Sequence, residues 1–438
     1  MPDTKIISKK IIGFQKWLQK YPLLLVIYLS TCAFVIYTCM YGFRKPYTVG
    51  IYKDIYFLGI SYKICLVIAQ VLGYMVSKFF GIKFIACMQP GKRALYIVLS
   101  ILIAWLSLFV FAIVPAPYNL ICMFINGLPL GIIFGLVFGF LEGRKTTEIM
   151  GAVLASSFIF GSGIAKFVGK LLLQNFNIAE KWMPFVAGGI FILPLFLFVL
   201  LLAQSPLPNQ MDIDNRTQRN PMNAIESKKI LQQFGFALIP VVISYAVFTI
   251  ARDFCEDFAN DLWTEAGYKN ISAIFSQTSI ITSLIVLVIL GSFFLIKNNQ
   301  LAFKSIHVLI GSGVLFSLLA TVIFQFGLLT VFAWMVIATT GLYISYLAFN
   351  CIYFERMIAT YKLKSNVGFV MYIADAFGYL GTVMVLLIKE FIPIKYNWVH
   401  FFSFLFYATA VAGLICIAIS LIIHSKLIKK LCNNSQPS

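Results

Sequence analysis

Long runs of apolar residues, separated by short polar segments, make up most of this chain. A helix rises about 1.5 Å per residue, so roughly twenty apolar residues are needed to cross the hydrocarbon core of a bilayer. Twelve runs meet this requirement and predict an all-α membrane protein with twelve transmembrane helices. The predicted spans are 22–44, 57–77, 94–115, 119–141, 149–173, 183–204, 232–253, 272–296, 305–324, 328–353, 366–388 and 399–424.

The composition excludes a soluble protein. Of the 438 residues, 61% are hydrophobic and only 11% are charged, and the mean hydropathy is +0.91. Soluble domains carry about 25% charged residues. The net charge of +18 would suggest nucleic-acid binding only if the basic residues were clustered on one domain, but they are spread over the short loops. We therefore expect a lipid bilayer as the partner and no nucleic acid.

The longest polar segment follows the sixth apolar run and predicts two pseudo-symmetric six-helix bundles joined by a linker. The loops on the side of the termini and the linker hold 23 Lys and Arg residues, against 6 on the other side. Because cytoplasmic loops are enriched in Lys and Arg, both termini are predicted to be cytoplasmic, in the inner membrane of a bacterium. The predicted organisation is a cytoplasmic N-terminal segment 1–21, an N-terminal bundle 22–204, a cytoplasmic linker 205–231, a C-terminal bundle 232–424 and a cytoplasmic tail 425–438.

Short motifs recur in the two halves at nearly constant spacing. A Glu–Arg motif ends spans four and ten at an offset of 213 residues, an intramembrane arginine recurs at an offset of 208, and a Gly-to-Lys segment recurs after spans two and eight at 218. Similar offsets indicate a duplicated six-span unit, which is common in transporters. The residues expected to act in gating or structure at these span ends are Gly73, Lys78, Glu142, Arg144, Glu355 and Arg356.

Two arginines lie inside apolar runs, Arg44 in span one and Arg252 in span seven. A cation within a membrane is costly unless it faces a protein interior or a watery cavity. Arginine presents a planar fork that suits phosphate or carboxylate. We expect the two arginines to face each other across one cavity and to bind an anion. The alternative is that Asp253 or Glu256 neutralises Arg252, so that the arginine is structural.

Further polar residues in the spans extend this candidate site. Lys63, near the outer surface, either anchors span two there or lines the cavity, and Lys166 lies near the middle of span five, with Asp375 of span eleven as its acidic counterpart by repeat position. A buried carboxylate can take up a proton, so three acidic residues are candidates for coupling. The candidates for substrate binding are Tyr41, Arg44, Lys45, Lys63, Lys166 and Arg252, and those for coupling are Asp253, Glu256 and Asp375.

No pattern in the sequence predicts catalysis, a metal or a cofactor. The three histidines are far apart, the nine cysteines form no CxxC pair, and there is no phosphate-cradling glycine loop. The chain is therefore predicted not to be an enzyme.

The arrangement of twelve spans in two repeats resembles the major facilitator superfamily over nearly the whole chain. The signature of that superfamily after span two is degenerate here, since Ser77 stands where the acidic residue belongs, between Gly73 and Lys78. Within the superfamily, the segment Tyr41-Gly42-Phe43-Arg44-Lys45 is similar to the span-one motif of the organophosphate:phosphate antiporters. Arg252 is similar to the span-seven arginine of those antiporters.

This narrower resemblance implies that the two arginines bind phosphate from the two halves. Asn126 and Gly127 also resemble the start of span four in that family. The sequence departs from the family pattern at Leu130, around Phe160 in span five, and at Ala69–Gln70. A divergent branch of the family is therefore expected.

Together these features predict a secondary active transporter, an antiporter or a symporter, that moves a small anionic organic solute by alternating access as a monomer. An organophosphate is one candidate substrate. A non-transporting sensor or scaffold on the same fold is an alternative, because the motif after span two is degenerate. A membrane-embedded lipid-modifying enzyme is a second alternative, although the short loops lack clustered polar residues.

Overall fold

In the computed structural model, residues 13–86, 88–144, 146–208, 224–361, 367–391 and 397–434 are described. The predicted N-terminal segment, linker and tail therefore lie partly outside the described residues, at 1–12, 209–223 and 435–438. Twelve long helices make up most of the described residues. They are α1 (Pro22–Arg44), α2 (Tyr62–Ala86), α3 (Arg93–Ile113), α4 (Leu120–Leu141), α5 (Thr147–Gln174), α6 (Met183–Ala203), α7 (Ala224–Asp257), α8 (Ile271–Ser292), α9 (Asn299–Gln325), α10 (Val331–Ala348), α11 (Val367–Phe391) and α12 (Trp398–Asn434).

The helices follow the apolar runs because a helix satisfies all of its backbone hydrogen bonds internally, as a membrane requires. Within the described residues, eleven helices are long and apolar enough to span a membrane. The remaining predicted span, 366–388, corresponds to α11, a helix of 25 residues. The all-α fold expected from the sequence is confirmed.

Several helix boundaries differ from the prediction. Span two was expected to begin at 57, but a short antiparallel hairpin comes first, formed by β1 (Tyr56–Phe57) and β2 (Ile60–Ser61). Leu58 and Gly59 both have positive φ, the backbone conformation of a two-residue hairpin turn, and α2 begins only after it. Helices α7 and α12 extend beyond their apolar parts, and α10 passes into a π-helical segment, Phe349–Tyr353, and a further helix, Phe354–Tyr361. Hydropathy does not detect such extensions, since a helix can continue into polar sequence.

The helices pack as two bundles with matching neighbours. In the N-terminal bundle α1 packs on α5 and α6, and α4 on α2 and α3; in the C-terminal bundle α7 packs on α11 and α12, and α10 on α8 and α9. The bundles meet where α5 packs on α8 and where α2 packs on α11. These two contacts are equivalent, because α2 corresponds to α8 and α5 to α11 in the duplicated unit. The end of the molecule at which α1 reaches Lys45 is called the Lys45 end. The opposite end, where α6 ends and α7 begins, is called the linker end.

Glycines allow α2 and α4 to approach closely. A Cβ added at Gly127 would overlap the carbonyl oxygen of Gln70, and one added at Gly73 would overlap that of Phe124. Small residues at such positions let two backbones come into contact, which is a common way of packing helices in membranes. This packing fixes the position of α2, which carries several polar side chains toward the space between the bundles.

Candidate functional site

The last turn of α1 brings Arg44 into the space between the bundles. Its side chain is 3% exposed, and its guanidinium carbon lies 4.1 Å from the ring centroid of Tyr74 on α2. Within the described part of the chain, Arg44 forms no ion pair with a carboxylate, and its Nε is buried without a hydrogen-bond partner. A buried charge without a counter-charge costs several kcal/mol. An anion beside Arg44 would offset this cost.

Amide side chains hold the end of α1 in position. Gln70 Nε2 donates to the carbonyl oxygen of Arg44 at 3.1 Å and to Asn126 Oδ1 at 2.7 Å. Asn126 Nδ2 donates to the carbonyl oxygen of Phe43 at 3.3 Å, and the Tyr47 hydroxyl donates to Gln70 Oε1 at 3.2 Å. Burial raises the pKa of the Tyr47 hydroxyl well above its usual value, so it stays a neutral donor. These bonds occupy carbonyl groups that the last turn of a helix leaves free.

Arg252 faces the same space from the C-terminal bundle, but it has a charged partner. It is 2% exposed, forms an ion pair with the adjacent Asp253 and donates to the Tyr346 hydroxyl at 3.0 Å. Asp253 also accepts a hydrogen bond of 2.9 Å from Thr382 on α11. The charge of Arg252 is thus neutralised within its own bundle, whereas that of Arg44 is not.

Both arginines line one cavity between the bundles, called the arginine cavity below. Its wall contains aromatic rings from both bundles, among them Tyr41 from α1 and Tyr379 from α11. The Tyr41 hydroxyl is buried without a hydrogen-bond partner. A cation, aromatic faces and an unpartnered hydroxyl can together bind a small organic anion, since the rings cover its apolar part and the polar groups its charge.

On the linker side of the arginines, α2 and α11 close the arginine cavity. Lys78 Nζ lies 3.1 Å from Asp375 Oδ2, so this ion pair joins the two bundles. Asp375 also accepts a hydrogen bond from Tyr245. One turn from these groups, the rings of Tyr74 and Tyr379 meet edge to face with centroids 5.2 Å apart. Asp375 is therefore paired with Lys78 and not with Lys166.

At the Lys45 end, ion pairs also cross between the bundles. Lys45 Nζ lies 2.5 Å from Asp257 Oδ1 and 3.4 Å from Glu256 Oε2, and all three side chains are buried. Lys63 Nζ lies 2.6 Å from Asp261 Oδ2. Lys45 and Lys63 were predicted to bind substrate. In the structure they instead form ion pairs that join the two bundles on this side of the arginine cavity.

At the linker end, the two Glu–Arg motifs differ in their contacts. Arg356 reaches across to the N-terminal bundle, where its Nη2 lies 2.8 Å from Glu148 Oε2. Arg144 instead donates to the carbonyl oxygen of Pro206 within its own half. Glu142 follows the last residue of α4, and Glu355 is the second residue of the helix after the π-helical segment. The second motif therefore ties the two bundles together through Arg356.

Lys166 and Glu256 lie outside the arginine cavity. Lys166 lines a second cavity between α5, α7, α8 and α10. The Glu256 carboxylate accepts a hydrogen bond of 2.8 Å from the Tyr343 hydroxyl at the edge of that second cavity. The residues that the sequence predicted to form one site therefore lie in two cavities and in the ion pairs on either side of the arginine cavity.

Sequence reasoning missed the side chains that support Arg44. Gln70 and Asn126 could have been found, because each is an isolated polar residue within an apolar run. Tyr74, Tyr346 and Tyr379 could not, because the chain has 21 tyrosines and their positions in the sequence do not distinguish them.

Comparison with known proteins adds a family and a fold. A family model described as "Family of unknown function (DUF5690)" matches residues 46–426. No curated protein matches the chain. Among solved structures, the chain is similar to the crystal structure of a bacterial homolog to the human lysosomal transporter Spinster, in an inward-facing and unoccupied conformation. The TM-score is 0.60 at 12% sequence identity, over 91% of this chain and 96% of that chain.

At this identity, the likeness shows the fold alone. The fold of twelve helices in two bundles, which the sequence predicted, is shared with that transporter. The comparisons do not support the narrower resemblance to the organophosphate:phosphate antiporters.

Proposed function

This chain belongs to the DUF5690 family, whose function is unknown, and we propose that it is a secondary transporter that carries a small organic anion by alternating access. The observation that carries the proposal is Arg44, a buried cation without a carboxylate partner among the described residues, at a cavity between two bundles. An anion in this cavity would supply the missing counter-charge. An organophosphate is one candidate, and so is a carboxylate, because the guanidinium fork suits both.

The closures on both sides of the arginine cavity support alternating access. Ion pairs cross between the bundles at the Lys45 end through Lys45 and Lys63, and at the linker end through Arg356. Opening one set while the other stays closed would expose the cavity to one side of the membrane at a time. Whether the transporter exchanges anions or moves them with protons is decided by flux measurements in imposed gradients.

The test uses the purified full chain, reconstituted in liposomes, with labelled inorganic phosphate and a panel of phosphorylated and carboxylated metabolites. We expect Arg44→Lys to lower uptake about tenfold to a hundredfold, because lysine keeps the charge but loses the bidentate hydrogen bonds, worth about 1.5–3 kcal/mol. Folded yield should stay near that of the unmodified chain. Arg93→Lys is the matched control, since Arg93 donates to Gly139 on α4 and does not line the cavity.

Three results would contradict the proposal or redirect it. Uptake that is unchanged in Arg44→Lys would show that the arginine does not bind the solute. If no anion is transported but one of them raises the thermal stability of the purified chain, the sensor alternative is favoured. If no anion is transported and none raises the thermal stability, Arg44 is a structural residue.

The orientation in the membrane is part of the proposal. Single cysteines at Ser227 and Asn397, in a chain without native cysteines, should differ in their access to an impermeant thiol reagent added to intact cells. Labelling at 397 and not at 227 is the expected result. The reverse pattern would mean that the termini and the linker lie outside.

A further inference from the structure

A second cavity lies between the bundles, beside the arginine cavity. It is lined by residues of α5 in the N-terminal bundle and of α7, α8 and α10 in the C-terminal bundle. Two residues of the short helix Ala259–Glu265, which follows α7, complete the lining. It shares no lining residue with the arginine cavity. We call it the Lys166 cavity, after the charged residue in its wall.

The ammonium group of Lys166 has free donor capacity. The side chain is 6% exposed, and its Nζ donates one hydrogen bond of 3.0 Å, to the carbonyl oxygen of Glu256. The ring centroid of Phe275 lies 5.3 Å from Nζ. The Glu256 carboxylate is engaged by Tyr343 and Lys45, and no carboxylate forms an ion pair with Lys166 in the described part of the chain. A lysine has three N–H donors, so at least one of them has no acceptor among the described residues.

An unpartnered hydroxyl stands next to this ammonium group. Ser162 lies one turn before Lys166 on α5, so both side chains project from the same face of the helix. Its Oγ is buried without a hydrogen-bond partner, and the residue lines the cavity. A buried hydroxyl and a buried ammonium group, both with free protons, form a wall of donors. That arrangement fits one carboxylate group.

The facing wall presents hydrogen-bond acceptors. The hydroxyls of Thr278 and Ser279 on α8 donate to carbonyl oxygens of their own helix at 2.8 and 3.0 Å, and that of Thr339 on α10 does so at 2.5 Å. Because the single proton of each hydroxyl is used, its oxygen can only accept a further bond. Acceptors in this position suit ligand hydroxyl groups. The rings of Trp263 and Phe275 in the same cavity can cover the C–H surface of the ligand.

We propose that the Lys166 cavity is a second anion site, which binds a hydroxylated organic monoanion. The carboxylate of the ligand lies against Lys166 and Ser162, and its hydroxyl groups donate to the hydroxyl oxygens of α8 and α10. One lysine balances one negative charge, so a monoanion fits better than a dianion. This site stands independently of the proposed transport through the arginine cavity.

The test is calorimetric titration of the purified full chain in detergent with three six-carbon compounds. D-gluconate carries both a carboxylate and hydroxyls, hexanoate only the carboxylate, and sorbitol only the hydroxyls. We expect D-gluconate to bind at least about tenfold more tightly than either of the others. Lys166→Gln should weaken gluconate binding about tenfold or more. Thr339→Val, which keeps the shape but removes an acceptor, should weaken gluconate and leave hexanoate unchanged.

Lys170→Gln is the matched control. Lys170 lies one turn further along α5, is also 6% exposed and does not line the cavity, so gluconate binding should be unchanged. If Lys166→Gln fails to fold, as judged by its elution profile, Thr339→Val decides. The proposal is overturned if gluconate does not bind, if hexanoate binds as tightly, or if both cavity variants bind gluconate normally. Phosphate binding by Arg44→Gln reports on the arginine cavity alone, so the two proposals fail separately.

Discussion

Replacing Asp253 with asparagine removes the carboxylate that neutralises Arg252 without changing the shape of the side chain. Both residues are buried, and Arg252 then keeps only the neutral Tyr346 hydroxyl and the new amide oxygen as partners. Thr382 can still donate to residue 253, so the link between α7 and α11 is retained. The substitution therefore isolates the loss of the negative charge.

The expected cost follows from the burial of the pair. Removing one member of a buried ion pair costs about 3–5 kcal/mol, because the other charge is left uncompensated. The amide oxygen of asparagine offsets part of this loss, so we expect about 3 kcal/mol for Asp253→Asn. The double variant Arg252→Gln/Asp253→Asn buries no charge at this position. It should be more stable than the sum of the single effects by about 1–3 kcal/mol.

An anion should rescue the single variant. In Asp253→Asn, the arginine cavity gains one net positive charge, so a bound anion is favoured more than in the unmodified chain. At about a hundred times its Kd, a ligand adds roughly 2.7 kcal/mol of stability. The assay is unfolding of the purified chain in mixed micelles by added SDS, with and without inorganic phosphate. The double variant should show no rescue beyond that of the unmodified chain.

Asp261→Asn removes the partner of Lys63, whose side chain is 5% exposed. Because the Asp261 side chain is 22% exposed, solvent reaches this pair and can hydrate the remaining ammonium group, so the cost should be smaller than that of Asp253→Asn, about 1–2 kcal/mol. Equal costs for Asp253→Asn and Asp261→Asn, or additive costs in the double variant, would show that the charge of Asp253 does not compensate a buried Arg252. A destabilised Asp253→Asn that phosphate does not rescue would make Arg252 structural, the alternative that the sequence left open.

Two further predictions concern packing and gating. Gly127→Ala should destabilise the protein by about 1–3 kcal/mol, because the added methyl group would overlap the Gln70 carbonyl. Gly291 has open space around it, so Gly291→Ala should change the stability by no more than about 1 kcal/mol. Thermal unfolding in detergent measures both variants. Cys351 is only 8% exposed, near the ion pair of Arg356 and Glu148. In a chain whose only cysteine is Cys351, Glu148→Gln should therefore speed the labelling of this thiol by N-ethylmaleimide. Equal labelling rates with and without the substitution would show that the ion pair does not hold the linker end closed.

The sequence alone predicted the features that depend on individual residues. Each apolar run is favourable in a bilayer whatever it packs against, so the twelve spans could be found by adding residue contributions. The intramembrane arginines were found in the same way, since a cation in an apolar run stands out without any structure. The hairpin at 56–61 was missed because its strands are apolar and merge with the run that follows.

Only the tertiary structure decided which charges are paired. Lys45 meets Asp257 across 212 residues of sequence, and Lys78 meets Asp375 in the other bundle, although repeat position had suggested Lys166 as the counterpart of Asp375. An ion pair between bundles depends on the rotation and height of each helix. The rotation and height of a helix are set by backbone contacts such as that of Gly127 with α2, which hydropathy does not detect. The sequence therefore determined that cations lie within the membrane, and packing determined that Arg252 is neutralised while Arg44 and Lys166 each face a cavity.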